Sequence, residues 1–225
     1  NPRITQQSLP NYYKNIYYPL ITGSVRNKVL TNVVRNNQGA RIYAYAADHL
    51  LASKRSAYVI AEIGCASGTN LIEFGKDLAK EHIGARLYGT EYDDQYAAVA
   101  AQQGITMLPS DITRLCSDTD KKFDLIILSH VFEHFIDLNT TLQSLKKVLA
   151  PHGMIYIEVP GIMNEEIMTT WYGGDFTTYC VHAHMYHFSL DSLTTILSKN
   201  GFVRVKGDET VRALFTTTTT TTTVN

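Results

Sequence analysis

Val59 to Leu71, reading Val-Ile-Ala-Glu-Ile-Gly-Cys-Ala-Ser-Gly-Thr-Asn-Leu, decides how the chain is read. Tyr58 to Ile63 is a short apolar run with β-branched residues, which suits a strand buried on both faces. Gly64 to Gly68 then places two glycines and two small residues in five positions, and an apolar-periodic segment follows at once. Strand, glycine turn and helix start together make a nucleotide cradle: the backbone approaches a ligand closely and helix N–H groups face it. The dinucleotide fingerprint G-x-G-x-x-G is not met, because Ala66 stands at its second glycine and Asn70 or Leu71 falls where the third belongs. An ordinary tight strand-to-helix turn is the competing reading of these five residues.

Working outward, strands and helices alternate. Arg86–Glu91, Ile105–Leu108, Phe123–Leu128, Met154–Val159 and Phe202–Val205 read as strands. Asn70–Lys80, Gln95–Gln102, Leu142–Leu149 and Ser189–Asn200 read as helices. Pro151-His152-Gly153 reads as a stop and turn, Ser189 as an N-cap and Gly201 as the residue past a helix end. Upstream, Asn27–Val34 and Ala40–Leu51 show helical spacing. The alternation predicts an α/β fold with a doubly wound, mostly parallel Rossmann-like sheet. Residues 1–56 are an N-terminal lead-in, 57–215 the main domain, 161–188 an insertion at a strand's C-terminal end, and 216–225 a low-complexity tail. Tyr12, Tyr13, Tyr17 and Tyr18 suggest a loop and short helix lying over a pocket, or packed on the domain's flank. Thr216–Thr223 is a homopolymer that cannot specify a strand register, although threonine favours strands.

Composition narrows the class. A chain of 225 residues suits one sizeable α/β domain, and a formal net charge of −1 offers no electrostatic reason to expect nucleic acid. No apolar run approaches the ~20 residues a membrane span needs, and no signal peptide is evident at the start. The first residue is Asn1 rather than methionine, so residues upstream are expected. Cys65, Cys116 and Cys180 form no C-x-x-C pair, which fits free thiols in a reducing cytoplasm.

Glu62, Gly64, Ala66 and Gly68 fill the pattern E/D-x-G-x-G/A-x-G, and in this the chain resembles class I S-adenosylmethionine-dependent methyltransferases. Ser129-His130-Val131-Phe132-Glu133-His134 is similar to their S/N-x-V-L-E-H segment. Glu158-Val159-Pro160 and His187-Phe188-Ser189-Leu190 also look like that superfamily, within which the broad methyltransferase 23 group is the nearest. Asn1-Pro2-Arg3 resembles the run that follows an N-terminal zinc ribbon in some relatives. The resemblance implies a sheet of about seven strands and the cofactor S-adenosyl-L-methionine, released as S-adenosyl-L-homocysteine. It places Glu62, Gly64, Cys65, Ala66, Gly68, Glu91, Tyr92, Asp111, Ile112, Ser129 and His130 around that cofactor. Glu91, ending the second strand, is suited to both ribose hydroxyls. Asp111 touches the adenine in this reading, or serves as a helix cap or turn residue; Ile112 stacks on the ring.

Five of the eight histidines fall into two groups, His130/His134 and His182/His184/His187. Grouped imidazoles beside a methyl acceptor suggest a general base. His184 is the first candidate, with His130 and His182 behind it; His187 reads as a half-buried structural residue. Val181 to Phe188 resembles the Y-H-E-H-x-x-Y-F region of sugar C-methyltransferases, but Val181 and Ala183 replace its tyrosine and glutamate. His130 to His134 also spells H-x-x-E-H, the inverted zinc-protease pattern, which needs its histidines on one helix face. Glu133 and His134 either start and orient a helix or help to hold a divalent ion, as in some relatives; the methyltransferase reading calls for no metal. It implies methyl transfer to a small-molecule acceptor, a sugar or glycan precursor among the candidates, with O-methylation ahead of C-methylation. An NAD-dependent oxidoreductase and a non-catalytic cofactor-binding scaffold are the alternatives.

Overall fold

A computed structural model of the chain describes residues 4–17, 37–112, 114–115, 120–170, 173–175 and 183–218. The helices are α1 (Leu9–Tyr12), α2 (Gln38–Leu51), α3 (Thr69–Lys80), α4 (Asp94–Gln102), α5 (Leu138–Val148), α6 (Glu165–Thr170) and α7 (Leu190–Lys199). The strands are β1 (Ala57–Ile63), β2 (Gly84–Thr90), β3 (Thr106–Met107), β4 (Phe123–Ser129), β5 (Leu149–Glu158), β6 (Phe202–Asp208) and β7 (Arg212–Thr217). They form one sheet in the order β3-β2-β1-β4-β5-β7-β6. The first five run parallel; β7 is antiparallel to both β5 and β6. The order reverses between β1 and β4, and doubly wound sheets bind ligands at the carboxyl ends flanking such a switch.

The continuous apolar strands are explained by two cores. In β4, Ile126 and Leu128 face α5 and α7, packing with Leu142, Leu145, Leu193 and Leu197. Leu125 and Ile127 face α2 and α3, packing with Ile42, Leu71, Phe74 and Leu78. Each such side chain, fully withdrawn from water, contributes about 1.5–3 kcal/mol. The carboxyl ends of β1, β2 and β4 are therefore fixed by packing from both sides.

Local chemistry sets the element ends. Asp93 caps α4 by accepting from Gln95 N and Tyr96 N, and Ser189 caps α7 by accepting from Ser192 N at 3.1 Å. Gly201 follows α7 at φ +80°, as expected of the residue past a helix end. α5 begins four residues before the predicted Leu142, because Asp137 accepts from Thr140 N at 3.0 Å and starts the helix there.

Two further expectations are corrected. Pro151-His152-Gly153 does not separate α5 from its strand; it lies inside β5. Leu149 pairs with Phe123 and Met154 with Leu125, so the turn is accommodated as a bulge. Among the described residues of the threonine run, Thr216 and Thr217 belong to the last strand, whose register is set by the buried Ala213, Leu214 and Phe215 just before them. Residues 219–223 of the run, Asn27–Val34, Tyr18 and Asn1-Pro2-Arg3 lie outside the described residues. Among the described residues, no helix is long and apolar enough to cross a membrane.

Candidate active site

At the end of β1 the chain turns through Gly64 at φ +69°, Ala66 at φ +47° and Gly68 at φ +83°. A Cβ on Gly64 would stand 2.7 Å from Val131 Cγ2, so this position needs glycine for both its conformation and its space. Ala66 holds the left-handed conformation at a cost of about 1–2 kcal/mol. Its N–H donates to Glu91 Oε2 at 3.0 Å, which gives the strained residue a partner on the neighbouring strand end.

Three residues expected to touch a cofactor stand behind this turn. Glu62 is 1 % exposed, and Asn70 Nδ2 donates to its Oε1 at 2.7 Å, linking β1 to α3. Burial pushes its carboxyl up to about 8 against the opposing effect of that hydrogen bond. Cys65 is buried against β2, where a Cβ on Gly89 would meet its Sγ at 2.5 Å, and burial raises its thiol. Gly68 is held at φ +83°, and a Cβ there would meet Ile105 Cδ1 at 2.1 Å, so a side chain would both strain the backbone and displace Ile105.

The end of β2 carries Glu91, whose carboxylate accepts from the N–H groups of Ala66 and of Asp93, the latter at 2.8 Å. Burial raises its carboxyl, and these backbone donors work the other way. Ser110 Oγ donates to the Glu91 carbonyl at 2.5 Å. Tyr92 lies flat against Tyr13 of the N-terminal segment, with ring centroids 5.6 Å apart and planes 9° apart. Burial pushes the Tyr92 hydroxyl up to about 12. The Asp111 carbonyl accepts from Leu115 N at 2.8 Å, and the flanking Ser110 and Ile112 line the cavity described below.

β4 ends at Ser129, and His130 follows at φ +55° with its N–H donating to the Glu158 carbonyl at 2.7 Å. Phe132–His134 is a short 3-10 turn rather than a helix, so the metalloprotease reading of H-x-x-E-H lacks the helix face it requires. Instead, the turn gathers imidazoles from both sequence groups around one carboxylate. Glu133, 1 % exposed, has its Oε1 3.9 Å from His130 Nδ1, 3.7 Å from His134 Nε2 and 3.9 Å from His184 Nε2. The Glu133 carbonyl accepts from Met185 N at 2.8 Å, which docks the 183–186 segment on the turn. His134 Nδ1 is 3.0 Å from the Ala183 carbonyl, a contact that needs its proton on Nδ1. Glu133, His134 and His184 bring ligand atoms within 4.8 Å of one another, a donor set that suits a divalent transition metal. The His184 and His187 rings are 5.8 Å apart, and burial lowers the His187 imidazole. His182 lies outside the described residues.

These pieces surround a cavity of about 390 Å³. Its lining brings Gly64, Ala66, Glu91, Tyr92, Ser110 and Ile112 together with His130, Val131, His134 and Phe135. Tyr13 and Tyr17 also line it, so the tyrosine-rich segment does lie over a pocket. Of the expected cofactor residues, Gly64, Ala66, Glu91, Tyr92, Ile112 and His130 are on the wall. Glu62, Cys65, Gly68, Asp111 and Ser129 are not, and His184 stands behind Glu133 with its side chain 9 % exposed. Asp137, Thr140 and Thr141 were not anticipated; the signal for them was the capping pattern of Asp137 and Thr140 at the start of α5.

A family model described as a methyltransferase domain matches residues 37–206. The chain is similar to the C-methyltransferase NovU of Streptomyces niveus, with 26 % identity over 151 residues, 63 % of this chain and 34 % of that protein. It is also similar to the mitochondrial ubiquinone biosynthesis O-methyltransferase of Bos taurus, with 25 % identity over 153 residues, 64 % of this chain and 38 % of that protein. The chain thus spans little more than a third of the length of these curated relatives. In fold it is similar to the plantazolicin methyltransferase BpumL, solved with S-adenosylhomocysteine, at a TM-score of 0.64 and 18 % identity, covering 90 % of this chain and 81 % of that one. The matched segment runs from the start of α2 into β6 and contains the ends of β1, β2 and β4 that border the cavity, and by that match the chain belongs to the methyltransferase-domain family, whose cofactor is S-adenosyl-L-methionine.

Proposed function

We propose that the protein transfers a methyl group from S-adenosyl-L-methionine to the hydroxyl of a small molecule, with His130 as the proton acceptor. The observation that carries this reading is the continuity of the cavity. The glycine cradle and Glu91 line the same cavity as His130 and His134.

The residues present fit the cofactor. Glu91, anchored by two backbone donors, retains acceptor capacity for a ribose diol. Gly64 leaves room where a Cβ would strike Val131, and Tyr92 and Ile112 offer apolar surfaces for a base. When bound, S-adenosyl-L-methionine supplies an electrophilic sulfonium methyl and leaves as S-adenosyl-L-homocysteine. The chain's own residues bind and orient both reactants, and His130 takes the proton of the acceptor's hydroxyl. Glu133, one carboxylate among three imidazoles, stabilises the positive charge that His130 then acquires. His184, first among the candidates on sequence grounds, acts in this reading through Glu133 rather than on the acceptor.

Oxygen is favoured over carbon because a hydroxyl asks less of its base, with positioning supplying much of the rate. Ala183 also replaces the glutamate of the sugar C-methyltransferase pattern. The two curated relatives are named for transfer to carbon and to oxygen respectively. A sugar or glycan precursor is the first acceptor class to try, in a cytoplasmic setting that suits the buried free thiol of Cys65.

The test is incubation of a metabolite extract with methyl-labelled cofactor, followed by identification of the labelled product. Label on an oxygen is expected. His130→Ala is expected to lower the labelling rate by about 10²–10⁴-fold with little change in cofactor affinity. Tighter binding of NAD than of S-adenosylhomocysteine in calorimetry, or full activity in His130→Ala, overturns the reading.

A further inference from the structure

The grouping of Glu133 with His134 and His184 is one that methyl transfer by itself does not call for. The two imidazoles bring Nε2 to 3.7 Å and 3.9 Å from Glu133 Oε1, too far for hydrogen bonds. The spacing is instead near that of atoms sharing one ion. Metal–nitrogen and metal–oxygen bonds of about 2.0–2.2 Å in a tetrahedron set ligand atoms roughly 3.4 Å apart. One donor atom from each of the three residues lies within 4.8 Å of the other two.

The surroundings prepare these side chains as ligands. The His134 Nδ1 contact with the Ala183 carbonyl, at 3.0 Å, is the usual support of a metal-bound imidazole, since it fixes the tautomer and the ring's orientation. The His134 and His184 rings stand 4.9 Å apart with planes at 76°, so they converge on the carboxylate from different directions. Met185 N, next to His184, donates to the Glu133 carbonyl, which fixes the two backbones against each other. Glu133 is 1 % exposed, and a carboxylate buried so deeply is stable beside a cation.

From this arrangement we infer that Glu133, His134 and His184 form a binding site for one divalent metal ion of the zinc type. Two imidazoles with one carboxylate suit zinc and its neighbours, whereas magnesium and calcium take shells of oxygen. Three protein ligands leave a position for an oxygen donor, as in zinc sites that act on substrates. Because His134 lines the cavity, the ion stands at the wall of the space where an acceptor is taken up. It also fastens the 183–186 segment to the turn after β4. His130, although 3.9 Å from the same carboxylate oxygen, is outside the donor set. Sharing Glu133 with an ion leaves His130 less stabilised as a cation. The ion offsets this, because an acceptor hydroxyl bound to it gives up its proton more readily. That task rests on the methyl-transfer reading; the binding of the ion does not.

The experiment therefore uses neither acceptor nor cofactor. Protein stripped with a chelator is titrated with Zn²⁺ in calorimetry and with Co²⁺ followed by visible absorption. One ion per chain is expected, with Co²⁺ giving the strong visible bands of a four-coordinate site. His184→Ala and Glu133→Gln are each expected to weaken Zn²⁺ binding by at least about 100-fold. His49→Ala, which removes an exposed imidazole on α2, is expected to leave it within about twofold. The inference is overturned if the unchanged protein takes up neither ion stoichiometrically at micromolar concentration. It is equally overturned if folded His184→Ala or Glu133→Gln binds Zn²⁺ as tightly as the unchanged protein, or if His49→Ala loses the ion. Should Glu133→Gln fail to fold, His184→Ala decides. Failure of the methyl-transfer reading looks different: NAD would then bind more tightly than S-adenosylhomocysteine, whatever the metal titration shows.

Discussion

Glu62→Gln tests the placement of a motif residue behind the site rather than in it. The Glu62 carboxyl is buried, one oxygen bonded to Asn70 and the other without a hydrogen bond among the described residues. Burial raises it from 4.5 in the unfolded chain to about 8 in the folded one. Between those values the folded protein retains a proton that the unfolded chain has released. Stability is therefore fully present below pH 4.5, falls as pH rises and levels off above about 8. At pH 7, two and a half pH units above 4.5, the loss is roughly 3 kcal/mol at about 1.4 kcal/mol per unit. Glutamine has the shape of the neutral acid and still offers Asn70 an oxygen, but it buries a second N–H that has no partner. The expected net gain is therefore smaller, about 2 kcal/mol at pH 7.5, and it turns into a net loss of about 1–2 kcal/mol at pH 4.5, where the extra buried N–H still costs and the charge no longer does. For a domain of this size that corresponds to a rise in Tm of about 4–8 °C at the higher pH only. Thermal melts of both proteins at the two pH values measure it. Equal destabilisation at both would show that the Glu62 carboxyl is not held protonated, and the reasoning from burial would fail.

Two other substitutions separate binding from architecture. Glu91→Ala is expected to weaken S-adenosylhomocysteine binding by about 2–3 kcal/mol in calorimetry, since a buried carboxylate able to accept from both ribose hydroxyls is lost; an unchanged Kd in a folded variant removes Glu91 from the site. Gly68→Ala is expected to cost about 2–4 kcal/mol in denaturant unfolding, from the φ of +83° and the approach to Ile105. Its cofactor affinity is expected to stay within about threefold once folded, and selective loss of binding at full stability would restore Gly68 to the cradle.

The chain shows much of this architecture in its sequence, and the reasons are local. Phe123 to Leu128 announces a strand covered on both faces because two layers of helices lie over it. Ser189 and Gly201 announce the ends of α7 because capping is chemistry between neighbours in sequence. Glycine at 64 and the acid at 91 were legible because backbone conformation and strand-end position constrain residue type directly. What the sequence hides is non-local. Nothing in residues 130–134 and 182–187 says that both groups meet at Glu133, since that depends on how the 183–186 segment docks. Nor does Glu158 signal its link to Gln38, 120 positions earlier. Glu62, Gly68 and Cys65 carry the motif's letters, but strand alternation and packing turn them away from the cavity. Pro151-His152-Gly153 has the composition of a turn between elements, and only pairing with β4 shows it as a bulge inside one.

The order of β5, β7 and β6 also constrains how the chain is assembled during synthesis. β6 emerges before β7, and among the described residues its sheet neighbour is β7 alone. The two therefore meet first as a hairpin across the turn at 209–211, a local event of the microsecond kind, and dock on β5 as a unit. Until then the β5 edge from Met154 to Glu158 presents unpaired backbone along a largely apolar strand, the kind of edge that recruits other chains. Glu158 is paired with Arg212 on that edge, so β7 covers β5 as far as the residue that ends it. A nascent chain halted before residue 212 would hold the glycine turn that follows β1 and still leave the edge of β5 open.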